Sequence, residues 1–189
     1  EAVNAEITDY REGKLYIISV SRGEAVSFVE TDAAQPLVHR PALSGDLLYF
    51  AGRQGLFVAI NVPELRVAWT QSLSGTVFTD PVATSAGVLV ATGDPALAEY
   101  IIYGYSPAGA PLFPALSDAG TPPAERGGEF AYVTRDGVLQ VRRLATGTPI
   151  GSFALDAPAA GARPILLADS ILVALEDGRI QRINRAALQ

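Results

Sequence analysis

Short apolar runs alternate with turn residues along most of this chain. Residues 47–50, 88–91, 130–133 and 171–174 are each made of aliphatic, aromatic or alanine residues, and Gly, Asp or Ser stands at or near their ends. Such runs read as strands, and the lack of polar alternation predicts strands covered on both faces. Tight turns follow at Arg53-Gln54-Gly55, Arg135-Asp136-Gly137 and Glu176-Asp177-Gly178, where glycine supplies the positive φ a hairpin needs. A third strand comes next (residues 56–60 or 138–142). A second turn (Val62-Pro63-Glu64, Pro107-Ala108-Gly109 or Ala145-Thr146-Gly147) then leads to a fourth strand carrying Trp69, Phe113 or Phe153. No window holds the i, i+3, i+4, i+7 apolar stripe over three helical turns, and 18 Gly with 13 Pro disfavour helices. Only residues 96–100 and 185–188 read as single helical turns.

The pattern has a period. Pro41, Pro81, Pro123 and Pro164 are 40, 42 and 41 residues apart, and Gly55, Gly137 and Gly178 are 82 and 41 apart. A recurring unit of four short antiparallel strands predicts an all-β chain, a small β-propeller of about five four-stranded antiparallel blades that need not be complete. The expected blades of this single domain, residues 1–189, are approximately 5–38, 39–78, 79–120, 121–161 and 162–189. A weaker first copy has residues 6–8 and 15–18 as its first two strands and Ser21-Arg22-Gly23 as their following turn. Gly23 lies only 32 residues before Gly55, so the rest of that blade is expected to be shortened. The last copy stops after its third strand, and residues 1–4 are expected to close the ring by supplying the outer strand.

Composition narrows the function. A net charge of -6 argues against a nucleic-acid partner, which would require a basic stripe. There is no Cys, which excludes disulfides and thiolate metal sites, and no run approaches the 18 apolar residues of a spanning helix. There is also no Met, even at position 1, which is expected of a processed N-terminus or a chain cut from a longer one.

Catalytic chemistry is thinly represented. His39 is the single histidine and reads as an ordinary loop residue before Arg40-Pro41. No nucleophile elbow, phosphate loop, dinucleotide fingerprint or calcium loop is present. Gly147-Thr148-Pro149-Ile150-Gly151 reads as a hairpin turn. Glu176-Asp177 and the pair Glu125 and Glu129 lie in solvated turns, which do not push two pKa values apart as acid–base catalysis requires. No catalytic residue, metal site or cofactor is expected, and the chain is read as no enzyme.

Two stretches carry a resemblance. Residues 81–113, with Pro81-Val82, Gly87-Val88-Leu89-Val90 and Tyr105-Ser106-Pro107-Ala108-Gly109-Ala110-Pro111-Leu112-Phe113, resemble the pyrroloquinoline-quinone-type propeller repeat, and so do residues 45–61 followed by Trp69. In that family a small-residue turn precedes a Trp that packs between blades. Trp69 keeps it, Phe113 and Phe153 look like substitutes, and the turn glycine is missing beside Glu64-Leu65. The family holds quinone-dependent dehydrogenases, long rings with a metal beside the cofactor, and non-catalytic propellers such as the envelope lipoprotein of the barrel-assembly machinery. This chain is short for the former. The resemblance implies a protein-binding or scaffolding module in the cell envelope, outside the cytoplasm, with a quinone- or metal-binding oxidoreductase-like propeller as the alternative.

Blade topology sorts the loops. The turn after the second strand shares a face with the connection into the next blade. That face should hold Arg53, Arg135 and Asp136, while Arg40, Asp80 and Arg163 crowd the channel mouth, pairing with one another or forming a polar binding site. The third copy departs from the tight turn at residues 93–99, where an enlarged loop with Leu97 at its centre is a candidate contact for a protein or peptide partner. Residues 117–122 are expected to widen the same face as a long connection.

Overall fold

The computed structural model describes residues 3–9, 14–19 and 24–30 as backbone strands, and residues 39–84, 86–94 and 96–188 with their side chains. Among the described residues, eighteen strands form five antiparallel sheets, each running in chain order from one edge to the other. The first holds β1 (Val3–Asp9), β2 (Lys14–Ser19) and β3 (Glu24–Glu30). The second holds β4 (Ala42–Ser44), β5 (Leu47–Ala51), β6 (Leu56–Asn61) and β7 (Arg66–Ser72). The third holds β8 (Val82–Thr84), β9 (Gly87–Asp94), β10 (Glu99–Tyr105) and β11 (Leu116–Ala119). The fourth holds β12 (Ala124–Arg126), β13 (Glu129–Val133), β14 (Val138–Arg143) and β15 (Pro149–Ala154). The fifth holds β16 (Ile165–Leu166), β17 (Ser170–Ala174) and β18 (Ile180–Asn184), and a 3-10 turn at Arg185–Ala187 follows it.

The four prolines occupy equivalent places. Each stands immediately before an innermost strand, β4, β8, β12 or β16, and these short strands lie side by side around an axis. Proline lacks the N–H that a ladder uses, so it suits a strand's entry. The turn glycines are equivalent too. Gly55, Gly137 and Gly178 have φ of 88°, 76° and 85°, and each N–H closes the turn onto the carbonyl three residues back.

Apolar faces meet between blades. One cluster joins the second and third sheets through Tyr49, Phe57, Val88 and Val90. Another joins the third and fourth through Leu89, Ile102, Phe130 and Tyr132, and another the fourth and fifth through Val133, Leu139, Ile171 and Val173. The runs of the second, third and fourth sheets are buried on both faces as expected, with Phe50, Leu89 and Phe130 fully buried, whereas in the fifth Ile171 and Val173 are buried and Leu172 and Ala174 only partly so.

Aromatic residues near the outer edge lock adjacent blades. Trp69 of β7 donates from Nε1 to the Pro107 carbonyl at 2.9 Å, and its ring covers Gly109 so closely that a β-carbon there would lie 2.8 Å from Cγ. Phe113 repeats the arrangement one blade on, where a β-carbon on Gly147 would come within 2.5 Å of Phe113 Cβ. Phe113 is thus the structural substitute for Trp. It lies before β11 instead of within a fourth strand as expected, because residues 106–115 form a long connection. At the turn without glycine, Leu65 itself takes φ of 53°, beside 81° and 67° for Gly109 and Gly147.

Other departures are local. β1 has seven residues, whereas the innermost strands of the other sheets have two or three, and among the described residues the first sheet has no such short innermost strand. A third strand, β3, follows residues 21–23, which themselves lie outside the described residues. In the sequence Gly13 stands 42 residues before Gly55, close to the repeat interval. Val3 and Asn4 pair with Ser19 and Ile18 inside the first sheet. Among the described residues the fifth sheet has no fourth strand. Residues 117–119 belong to β11, and residues 99–100 to β10 instead of a helical turn.

Candidate functional site

The hairpin turns and inter-blade connections gather on one face, and three features are built there. The first lies at the channel mouth. Pro41, Pro81 and Pro164 hold the residues before them at the entries of inner strands, so Arg40, Asp80 and Arg163 converge. The Arg40 backbone N–H donates to Asp80 Oδ1 at 2.9 Å, and Arg163 Nη2 reaches the Asp80 carbonyl at 3.4 Å across 83 residues of sequence. His39 donates from Nε2 to the Val77 carbonyl at 2.8 Å, leaving Nδ1 3.7 Å from Asp80 Oδ1. Partial loss of water around the Arg163 guanidinium lowers it from its ordinary value while Asp80 opposes the shift, although the residue as a whole is exposed. Asp80 therefore ties three blade entries together. The contacts among the three each use a backbone atom, the Arg40 N–H or the Asp80 carbonyl. The Arg40 guanidinium has no partner among the described residues.

The second feature is the hairpin of the third blade. Its connection, residues 95–98, is no longer than residues 52–55 or 134–137; instead β9 is three residues longer than β5 and β13. The extra pairs Gly93↔Tyr100 and Asp94↔Glu99 carry an ordinary-sized turn further out from the face. The expected enlarged loop is therefore an extended ladder. Asp94 Oδ1 accepts from the Ala96 N–H at 2.9 Å, Ala98 takes φ of 49°, and Leu97 at the tip is 65% exposed. Pro95 lies outside the described residues.

The third feature is a pair of clefts on either side of this hairpin. One, of about 460 Å³, lies between the hairpin and the connection into the third blade, with Thr76, Phe78, Asp94 and Tyr100 on its walls. The other, of about 370 Å³, lies between the hairpin and the turns of the fourth and fifth blades, walled by Ala98, Asp136, Leu155, Pro158 and Glu176. Arg135 stands at both. Its Nη1 donates to Glu99 Oε1 at 3.2 Å and its Nη2 to the Ser117 carbonyl at 3.4 Å, so its charge is already met from the neighbouring blade.

The expected residues thus separate into two groups. Arg40, Asp80 and Arg163 meet at the axis. Arg135, Asp136 and the turn carrying Leu97 meet at the cleft. Arg53 joins neither: its carbonyl receives the Val77 N–H, while its exposed guanidinium has no partner among the described residues. Glu176 was expected on this face from its turn, and Ala98 and Glu99 within the stretch 93–99; Leu155 and Pro158 were not singled out from the sequence. Asp177, next to Glu176, is held by Arg179 with Nη2–Oδ2 of 2.7 Å, and that hydrogen bonding keeps its carboxyl below the ordinary value. No group of three His, Asp or Glu that could hold a metal exists among the described residues.

These features define the fold as a β-propeller, and the chain is similar to propellers built of pyrroloquinoline-quinone-type repeats. Residues 11–103 match the family model described as outer membrane protein assembly factor BamB. Among solved structures, BamB from Moraxella catarrhalis aligns over 98% of this chain and 58% of its own, with TM-score 0.64 and 15% identity. The computationally designed Ika8 protein aligns over 95% of this chain and 57% of its own (TM-score 0.69, 11% identity). A europium-containing methanol dehydrogenase aligns over 93% and 46% (TM-score 0.70, 12% identity). The chain therefore spans less than three fifths of the length of these proteins. No curated protein sequence matches it.

Proposed function

We propose that this propeller is a non-catalytic docking module of the cell envelope, outside the cytoplasm, which binds a protein or peptide through its hairpin-turn face. The observation that carries the reading is the extended third-blade hairpin, which lifts exposed Leu97 beside a cleft walled by three blades. A ladder supports that tip, so little conformational freedom is lost when a partner docks. The likeness to an outer membrane protein assembly factor supports the envelope setting and a protein partner. A photo-reactive residue placed at Leu97 is expected to cross-link one defined envelope protein in cells. The same residue at Arg126, the last of β12 and on the opposite face, is expected to give none. Equal labelling from both positions, or a cytosolic full-length product, overturns the proposal.

A second reading rests on the fold likeness to a methanol dehydrogenase: a quinone or metal held in the channel. Titration with pyrroloquinoline quinone and calcium separates the two, because a saturable rise in melting temperature follows only from the second.

A further inference from the structure

The cleft beside Leu97 has a charge pattern that narrows what can enter it. Three charged side chains line it, Arg135, Asp136 and Glu176, and a fourth, Glu99, lines the cleft on the other side of the hairpin. Two of them, Arg135 and Glu99, are paired with each other across blades. The other two, Asp136 and Glu176, have no hydrogen-bond or ion-pair partner for their carboxylates among the described residues. They come from equivalent turns of adjacent blades: Asp136 follows β13 and Glu176 follows β17. Between them the wall is uncharged and largely apolar, formed by Leu155, Ala157 and Pro158 on the connection that joins the two blades. That connection is anchored, with the Leu155 N–H on the Gly137 carbonyl and the Glu176 N–H on the Pro158 carbonyl. The space of about 370 Å³ is ample for one long side chain and the backbone that carries it.

We infer that this cleft receives a Lys or Arg side chain from an extended segment of the partner protein, with an adjacent apolar side chain resting on Leu97. The inference rests on the docking reading above and names the partner's chemistry at that face. A long basic side chain suits such a wall because its methylene stem covers apolar surface while its head reaches the carboxylates. An acidic or neutral side chain would leave both carboxylates unpaired, and an acidic one would add repulsion. Asp136 and Glu176 would act as the discriminating residues, and Arg135, already neutralised, would hold the hairpin to the fourth blade.

The test uses isotope-labelled protein and three probes: N-acetyl-Leu-Arg-amide, N-acetyl-Leu-norleucine-amide and N-acetyl-Leu-Glu-amide. Amide shifts of Gly137 and Ala98, which line the cleft, report occupancy. The arginine probe is expected to move these amides saturably. The D136N/E176Q double variant, whose spectrum itself reports folding, is expected to bind it about tenfold more weakly or worse. Binding of the norleucine or glutamate probe as tight as the arginine probe overturns the charge assignment while leaving the docking reading standing. An arginine affinity unchanged in the folded double variant overturns it as well. If no probe moves any amide on the hairpin-turn face, the inference falls and the docking reading loses support with it.

Discussion

Leu139 in the fourth blade and Ile180 in the fifth hold the same place in the repeat, 41 residues apart and each two residues past its turn glycine. Leu139 is fully buried; Ile180 is 71% exposed. Ala124 and Ile165 make the same pair on the innermost strands, with 7% and 57% exposure. The fourth blade has the fifth lying on that face, and the fifth has no sheet on its own among the described residues. The repeat thus makes the position apolar, but only a neighbouring sheet turns apolarity into stability. Hydrophobic stabilisation scales with area removed from water, so equal residues contribute unequally.

The largest effect should appear on the covered face. Leu139→Ala is expected to cost about 3 kcal/mol, from lost transfer energy and the cavity left behind. Urea unfolding measures this, and a loss below about 1 kcal/mol would mean the interface collapses around the gap. Close behind should come Gly147→Ala, where a β-carbon meets Phe113 Cβ at 2.5 Å and the backbone sits at φ of 67°. A destabilisation of about 2 kcal/mol is expected, while the same change at Gly137, whose β-carbon would meet nothing within 4 Å, should cost less. Leu65→Gly works in the opposite direction. Relieving a left-handed leucine should raise stability by about 1 kcal/mol, and a decrease would show that Leu65 contacts outweigh its strain. On the uncovered face, Ile180→Ala should change stability by less than about 0.5 kcal/mol; a larger loss would reveal something packed on it in solution.

The last prediction vanishes at neutral pH. Tyr132 lies buried between the third and fourth blades, and burial pushes its phenol up to about 12, with Arg142 acting against this and Asp118 adding to it. Between its unfolded value near 10 and about 12 the native state holds the extra proton. Stability should therefore fall as pH rises through that window, and Tyr132→Phe should flatten the fall. An unchanged pH profile in that variant would place the loss elsewhere.

Much of this was legible in residues. The prolines marked innermost-strand entries because a residue without an N–H is tolerated there, and the glycines marked turns because φ is positive. The absent glycine beside Glu64 was visible, and so was Phe113 as a stand-in for Trp. In the first blade the two expected strands lie within β1 and β2, while Ser21-Arg22-Gly23 lies outside the described residues. The third-blade hairpin read as a large loop because nothing in residues 92–95 announces continued pairing. Its cross-strand bonds are local to the fold and not to any short window. At the site, Arg135 and Asp136 could be assigned to a face from topology. The pairing of Arg135 with Glu99, 36 residues earlier, could not.

The chain alone therefore determined the unit, its period, its strands and which face each turn occupies, since these follow from backbone conformation and near-neighbour chemistry. Tertiary packing decided which apolar faces are buried, which charges are already neutralised, and where two carboxylates stand beside a cleft without a partner among the described residues. Those outcomes depend on distances between blades that only the folded arrangement sets, and electrostatic and hydrophobic energies both depend on such distances and on the water excluded.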